Sequence, residues 1–435
     1  MHSSKTISSA SETTGVFSID QGKTILVVAT RRFWPPDSGR KVVLYNYCKC
    51  LAEDLGYRVC VYCFLEAGQT EDEDGLPAFI SDVRYALPVS GSSKVAGILR
   101  STLGRTRPYQ SFAYCDKGNA KALKSYQEKV GAEAVFVDMV RLAPLVEAAL
   151  PGERVVLDLD DLLSKRYDRQ LSYSRDGSNV LGRLGESERG LARLASVSSV
   201  RKLILRTESR QVARAEAFYA QKSSAVVLIS PKEAHGFALE NPQVNVVAAP
   251  MGVDFYFFSS GPAPKKRENY AVFVGDMHTA ANRDSLIAIC EDVLPLIPGA
   301  ELGVIGSYPQ ELRDRLRGCS QVRFLGRVDD LRASVKEARA FLAPLSYGTG
   351  VKTKLLEAMA MGVPVVTNSI GAEGLDVHDG VECFIRENPS EQAEAVGELF
   401  HNQGLAETMS GLAQRYVADN HRWSACTEAF QSIGL

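Results

Sequence analysis

The strongest constraint on the fold is a doubled alternation of short β-branched runs with glycine-bearing loops and helical patterns. In the first series, KTILVVAT (23–30), YRVCVYCF (57–64), AEAVFVDM (132–139), VVLDLDD (155–161) and SSAVVLIS (223–230) are apolar and strand-length. In the second, YAVFVGDM (270–277), AELGVIGS (300–307), VRFLGRVDD (322–330), ARAFLAPL (338–345) and VPVVTNS (363–369) repeat the layout. Strands of this kind with helices between them predict parallel sheets covered on both faces. Between the series, residues 244–270 end in a Pro, Gly and Lys cluster, the composition of an interdomain linker. The pattern predicts an α/β protein of two halves, with ligands at the carboxyl ends of the strands in a shared crevice.

A chain of 435 residues is too long for one ordinary core and suits two domains. Lys and Arg total 50 against 52 Asp and Glu, so no general attraction draws the chain to nucleic acid or acidic lipid. No run reaches the roughly 18–20 apolar residues of a membrane span. Residues 1–22 are rich in Ser and Thr and lack an apolar stretch, which predicts a disordered tail, no secretory signal and a cytoplasmic location. The nine cysteines are an odd number at irregular spacing, which favours free thiols. Cys48 and Cys50 sit in a helical pattern and Cys60 and Cys63 in a strand, an arrangement that favours buried thiols over a zinc set. No two histidines have metal spacing, and neither half carries the G-x-G-x-x-G turn of a dehydrogenase. An Arg-rich stretch over roughly 182–222 includes Arg183, Arg189, Arg193, Arg201, Lys202, Arg206, Arg210 and Arg214. It reads first as a solvated helix face, with Arg210 and Arg214 near Glu216, and second as a cationic surface that meets anionic lipid, as a peripheral membrane contact, or a polyanionic acceptor.

The functional signal is concentrated in YGTGVKTKLLEAMAMGVPVVTNSIGAEGL, residues 347–375. A strand leads into Gly348-Thr349-Gly350, and a helix is expected from near Val351 to a left-handed cap at Gly362. Lys352 and Lys354 fall in its first turn, where the helix dipole is already positive. An anion such as a diphosphate would turn that conflict into complementarity; the alternative is two solvated lysines. Glu357, in the second turn, has the two acceptor oxygens that a ribose diol requires, or it is a surface partner of Lys354.

This segment resembles the donor-binding signature of glycosyltransferase family 4, the retaining GT-B enzymes, and is similar to the bacterial group that makes exopolysaccharides and surface glycans. The likeness extends over most of the chain: PPDSGRK (35–41), ISPKEAHGF (229–237), APMGVDFYFF (249–258), FVGDMHTAANRDSL (273–286) and Trp423 all resemble family elements. It implies a GT-B fold, with Rossmann-like domains at 23–250 and 251–410 facing across a cleft. Residues 411–435 would form a helix crossing back to the N-terminal domain. It further implies a metal-independent hexosyl transfer, with no cofactor beyond a nucleoside-diphosphate sugar and with a glycan or lipid-linked acceptor. By position, Glu357 would bind the ribose, and Gly350, Val351 and Lys352 the diphosphate. Arg327 and Val328 would frame the base, with Gly306 close to the nucleotide. Gly275 heads the first C-terminal loop, and Gly39 and Arg40 lie in the loop that approaches donor phosphate and acceptor. Two positions depart from the family. Thr349 stands where a sugar-contacting glutamate is common, and Asn282 and Arg283 stand where an Arg and a Lys often hold phosphate, leaving that task to Lys352 or Lys354.

In this reading Lys352 and Lys354 stabilise the departing diphosphate while the Gly39–Arg40 loop positions the acceptor. Asp138 and Arg141 lie where acceptor-side residues gather, and equally suit ordinary loop polars. Asp158, Asp160 and Asp161 form a D-x-D pattern that suits caps of the following helix better than a metal set. A GT-B sugar-nucleotide epimerase and a non-catalytic sugar-nucleotide-binding module are the alternatives.

Overall fold

The computed structural model describes residues 22–36, 39–66, 68–71, 75–89, 108–173, 198–261, 265–346 and 350–435. Almost all of the N-terminal tail, Thr349, Arg183, Arg189 and Arg193 lie outside these residues.

The first half is built on β1 (Thr24–Ala29), β2 (Arg58–Phe64), β3 (Ile80–Ala86), β4 (Ala134–Asp138), β5 (Val155–Asp160), β6 (Ala225–Leu228) and β7 (Val246–Ala248). These strands form one parallel sheet in the order β3-β2-β1-β4-β5-β6-β7. The second half uses β8 (Tyr270–Val274), β9 (Glu301–Ile305), β10 (Val322–Gly326), β11 (Ala340–Ala343), β12 (Val365–Thr367) and β13 (Phe384–Ile385), in the order β10-β9-β8-β11-β12-β13. In each sheet the chain winds outward from its first strand and then returns to the other side of it. That reversal opens a crevice beyond the carboxyl ends of β1 and β4, and of β8 and β11.

Burial explains the continuous apolar runs. Along β1, Leu26 and Val28 enter one core cluster while Ile25, Val27 and Ala29 enter another, so both faces of the sheet are covered. The second half has its own core, in which Leu355, Leu356, Ala358 and Met359 of the helix Thr353–Ala360 pack with Val272, Phe341 and Val365 from three strands. All nine cysteines are free thiols, and Cys48, Cys50, Cys60 and Cys63 are buried.

Several local expectations are corrected. The stretch read as a linker contains β7, which pairs Val246 with Val226, and the helix Phe255–Ser259. A three-residue edge strand is too short to announce itself. Glu216 is not a surface partner for Arg210 or Arg214. It is 2% exposed on the helix Ser198–Lys222 and accepts from the Ser164 amide at 3.2 Å and hydroxyl at 2.5 Å. Arg206, Arg210 and Arg214 are solvent-exposed.

At the C-terminus, the helix Gln403–Asn420 buries Met409, Ala413 and Val417 in the second core. The chain then crosses, with the Val253 amide donating to the His421 carbonyl at 2.8 Å. The last helix, Ser424–Ser432, packs Phe430 edge-on against Tyr47 and Phe136 of the first half, at ring separations of 5.1 and 5.9 Å. The return is therefore made by this last short helix, while residues 411–420 stay with the second half. Among the described residues no helix is long and apolar enough to cross a membrane.

Candidate active site between the two halves

The donor side of the crevice starts from two glycines that must touch. Gly306, just past β9, has φ +125°, and a Cβ there would lie 1.9 Å from the Gly275 carbonyl oxygen beyond β8. A Cβ on Gly275 would in turn meet the Asn282 amide nitrogen at 2.7 Å. Asn282 holds Lys354, whose Nζ donates to its Oδ1 at 2.8 Å and lies 4.5 Å from the centre of the Phe273 ring. Gly275, Asn282, Gly306 and Lys354 thus form one contact chain across β8, β9 and the helix Thr353–Ala360. Replacing Gly306 by alanine is expected to lower stability by roughly 2–4 kcal/mol, from overpacking plus a left-handed backbone that side chains avoid. The check is a urea titration with the nucleotide-binding signal followed in parallel.

The helix begins two residues later than its pattern suggests, at Thr353, with Lys352 extended at φ −97° and ψ 96° in the cap position. Lys352 Nζ donates back to the Gly350 carbonyl. At the other end Gly362 takes φ +70° and the Val363 amide reaches the Ala358 carbonyl at 3.1 Å, the left-handed closure its glycine suggests. Lys354 is not a solvated lysine. Burial, reinforced by the neighbouring Lys352 charge, pulls its ammonium down to about 7. The Glu357 carboxylate has no hydrogen bond or ion pair among the described residues, and Lys354, three residues earlier, turns to Asn282 instead. Burial holds the Glu357 carboxyl up at about 6. An unpaired, half-buried carboxylate beside a buried ammonium is an unfinished arrangement within the free chain. Arg327 is exposed beside Asp276, and Val328 packs against the core.

The acceptor side differs from expectation. Arg40 stands at the start of the helix Gly39–Lys49, but its guanidinium is committed to three carboxylates. Its Nε donates to Asp138 at 2.9 Å, one terminal nitrogen to Asp160 at 3.1 Å, and the other to both Asp138 and Asp158. It is therefore not a free cation for phosphate. Asp138 is 1% exposed and also accepts from the Thr30 amide and hydroxyl at 2.9 and 2.6 Å, so its role is to hold Arg40 and the end of β1. Burial alone would lower the Arg40 value, but Asp158, Asp160 and Asp138 more than offset it and push it up. The D-x-D carboxylates are not helix caps either. Asp161 pairs with Arg166, and the helix Leu163–Tyr173 is met at its start by Glu233 and Glu216 from other helices.

A cleft of about 1690 Å³ separates the halves. Gly39, Arg40 and Arg141 line it from the first half, and Gly350 and Val351 from the second. Lys352, Lys354 and Glu357 follow Val351 in the chain but are not among the residues that line this cleft, and neither are Gly275, Asn282, Gly306, Arg327 and Val328. The sequence reading missed Arg31, Lys232 and His235 on the first wall and Glu373 on the second. Each follows a strand end, which is the one signal that could have flagged it.

The two-sheet architecture with its shared cleft defines a GT-B fold. It is shared over nearly the whole chain with sucrose-phosphate synthase from Thermosynechococcus elongatus (TM-score 0.63, 14% identity, 94% of this chain and 98% of that one). HepE from Anabaena, crystallised with UDP and glucose, gives a TM-score of 0.58 at 14% identity over 94% and 98% of the chains. TarM of S. aureus, a mutant crystallised with UDP, gives 0.61 at 10% identity over 94% and 99%. At these identities the likeness concerns the fold. Residues 268–402 match the family model described as Glycosyl transferases group 1. A curated relative, glycosyltransferase 1 domain-containing protein 1 of Xenopus tropicalis, is 25% identical over 145 residues, 32% of this chain and 42% of the relative. The match thus spans less than half the length of that relative. The comparisons thus give a GT-B fold for the chain and a glycosyltransferase family match for residues 268–402.

Proposed function

We propose that the protein transfers a hexose from a nucleoside-diphosphate sugar, with retention and without a metal or added cofactor, to a glycan or lipid-linked acceptor held by the first half. One observation carries this reading: an unpaired, half-buried Glu357 stands three residues from a buried Lys354 at a helix start beside a glycine–glycine contact. A ribose diol completes the carboxylate, and a diphosphate completes the lysines and the free amides of the helix end. Uridine is the favoured base, because HepE and TarM are crystallised with UDP. Arg327 and Val328, just past the end of β10, would frame that base. The likeness to surface-glycan enzymes suggests polysaccharide synthesis at the cytoplasmic side of a membrane, with the exposed Arg206, Arg210 and Arg214 available for anionic lipid.

The test is a thermal-shift panel of UDP, GDP and ADP. The cognate nucleotide at 100 times its dissociation constant should stabilise the protein by about 2.7 kcal/mol. Glu357→Ala should remove most of that shift. Affinity should also fall as pH drops below about 6, because the diol needs the ionised carboxylate. Without ligand the sign is reversed. The folded value lies above the ordinary 4.5, so this group's contribution to stability is present below 4.5 and lost as pH rises through about 6. If no nucleotide shifts the transition, the donor reading fails. Donor conversion without any acceptor would instead identify an epimerase, and binding without transfer or hydrolysis a non-catalytic module.

A further inference from the structure

We infer that the acceptor carries an anionic group, a phosphate or a carboxylate, and that Arg31 and Arg141 grip it on the first-half wall of the cleft. The inference rests on the transferase reading and adds the chemical class of its second substrate. Both arginines line the cleft. They come two and three residues past the ends of adjacent parallel strands, β1 and β4, in which Val28 lies opposite Val137. Neither guanidinium has a close partner among the described residues. Arg31 has a single ion pair, to Glu66, at 3.8 Å, and Arg141 has no ion pair or hydrogen bond. The Nε of each is shut off from water and meets no acceptor.

Their neighbours make the contrast. Arg40 and Arg166 face the same cleft with their charge already satisfied by Asp138, Asp158, Asp160 and Asp161. The acids on this wall are spoken for in turn, since Glu233 also accepts from the Leu162 amide at 3.4 Å. What remains least matched is the pair of guanidiniums, Arg31 with its one long ion pair and Arg141 with none among the described residues, and Lys165, Lys232 and His235 line the same wall. The opposite wall presents Glu373, Asp376 and Asp419 and, among its described residues, no lysine or arginine. Within the cleft, an acceptor's negative group is therefore drawn to the first-half wall and away from these three acids, while Lys352 and Lys354 on the donor helix serve the diphosphate. Neutral sugar hydroxyls do not call for two guanidiniums so weakly matched by protein carboxylates, whereas the planar fork matches the two oxygens of a phosphate or carboxylate.

The test uses the full chain saturated with UDP, and reads binding of glucose 6-phosphate, glucuronate and glucose in solution. Phosphatidylinositol vesicles, with phosphatidylcholine vesicles as control, supply the lipid-borne version of the same chemistry. At least one anionic probe should bind tenfold or more tightly than its neutral counterpart. Arg31→Ala and Arg141→Ala should each cost about tenfold or more in that affinity, with partial recovery in the lysine variants. Which probe responds separates a soluble acceptor from a lipid-borne one. The UDP shift should persist in both alanine variants, which verifies folding; a shift with none of UDP, GDP and ADP in the unmodified protein would defeat the transferase reading instead. Equal binding of charged and neutral probes, or anionic binding that survives both alanine substitutions, overturns the inference.

Discussion

Replacing Lys352 and Lys354 together by alanine is expected to lower turnover by about 100- to 1000-fold, with a smaller change in donor affinity. The bond to the nucleotide breaks while the diphosphate gains negative charge, so the groups that matter most are those whose attraction grows during that step. Lys354 is poised for it. Burial, with Lys352 beside it, holds its ammonium at about 7, so it carries only part of its charge near neutrality in the free protein. An arriving diphosphate favours the charged form, and donor binding should therefore take up a proton at about pH 7. Calorimetry in two buffers of different ionisation heat measures that uptake, and it should vanish in Lys354→Ala alone. Lys352 sits at the cap, where the free amides of the helix Thr353–Ala360 point, and adds charge to the same spot. Turnover left unchanged in the double variant would remove both lysines from the reaction. A rise in KM with constant kcat would show that they bind donor and transition state equally.

Much of this arrangement is legible in the sequence because it is local. The strand runs are buried on both faces, so their apolar character needs no alternation to reveal them. Lys352, Lys354 and Glu357 share one helix start, and a span of six residues is enough to place them together. What escaped is what long-range pairing decides. Lys354 avoids Glu357 because Asn282, 72 residues away, receives it. Arg40 meets Asp138, Asp158 and Asp160 across 98, 118 and 120 residues, through strands whose neighbours are set by sheet order. Spacing alone made the D-x-D carboxylates look like caps. The register of β4 beside β5, with Asp138 opposite Asp158, makes them a seat for a guanidinium. Strand β3 lies at the sheet edge with half-exposed residues, and β7 and β13 have three and two residues, so none of them carries a readable period.

That seat gives the second large effect. Arg40→Met is expected to destabilise the protein by roughly 3–5 kcal/mol at about pH 8 and by far less at about pH 5. Methionine keeps much of the volume but leaves three buried carboxylates facing one another at the ends of β4 and β5. Asp158 already shows the strain of burial, which holds its carboxyl up at about 6 even with Arg40 in place. Its folded value lies above the ordinary 3.8, so its contribution is present below 3.8 and lost as pH rises through about 6. Asp160 is raised in the same sense, again by burial first. Asp138 runs the other way. Burial pushes it up, but Arg40 and the two Thr30 bonds outweigh that, so its contribution is present above 3.8 and lost as pH falls through its lowered value. Without the guanidinium, all three folded values move upward, and each then withdraws stability as pH rises. Urea unfolding at the two pH values measures the difference, with Arg40→Lys as the variant that restores a charge but not the fork. An equal loss at both pH values would mean that Arg40 acts through packing of its stem, and that the carboxylates find their counter-charge elsewhere.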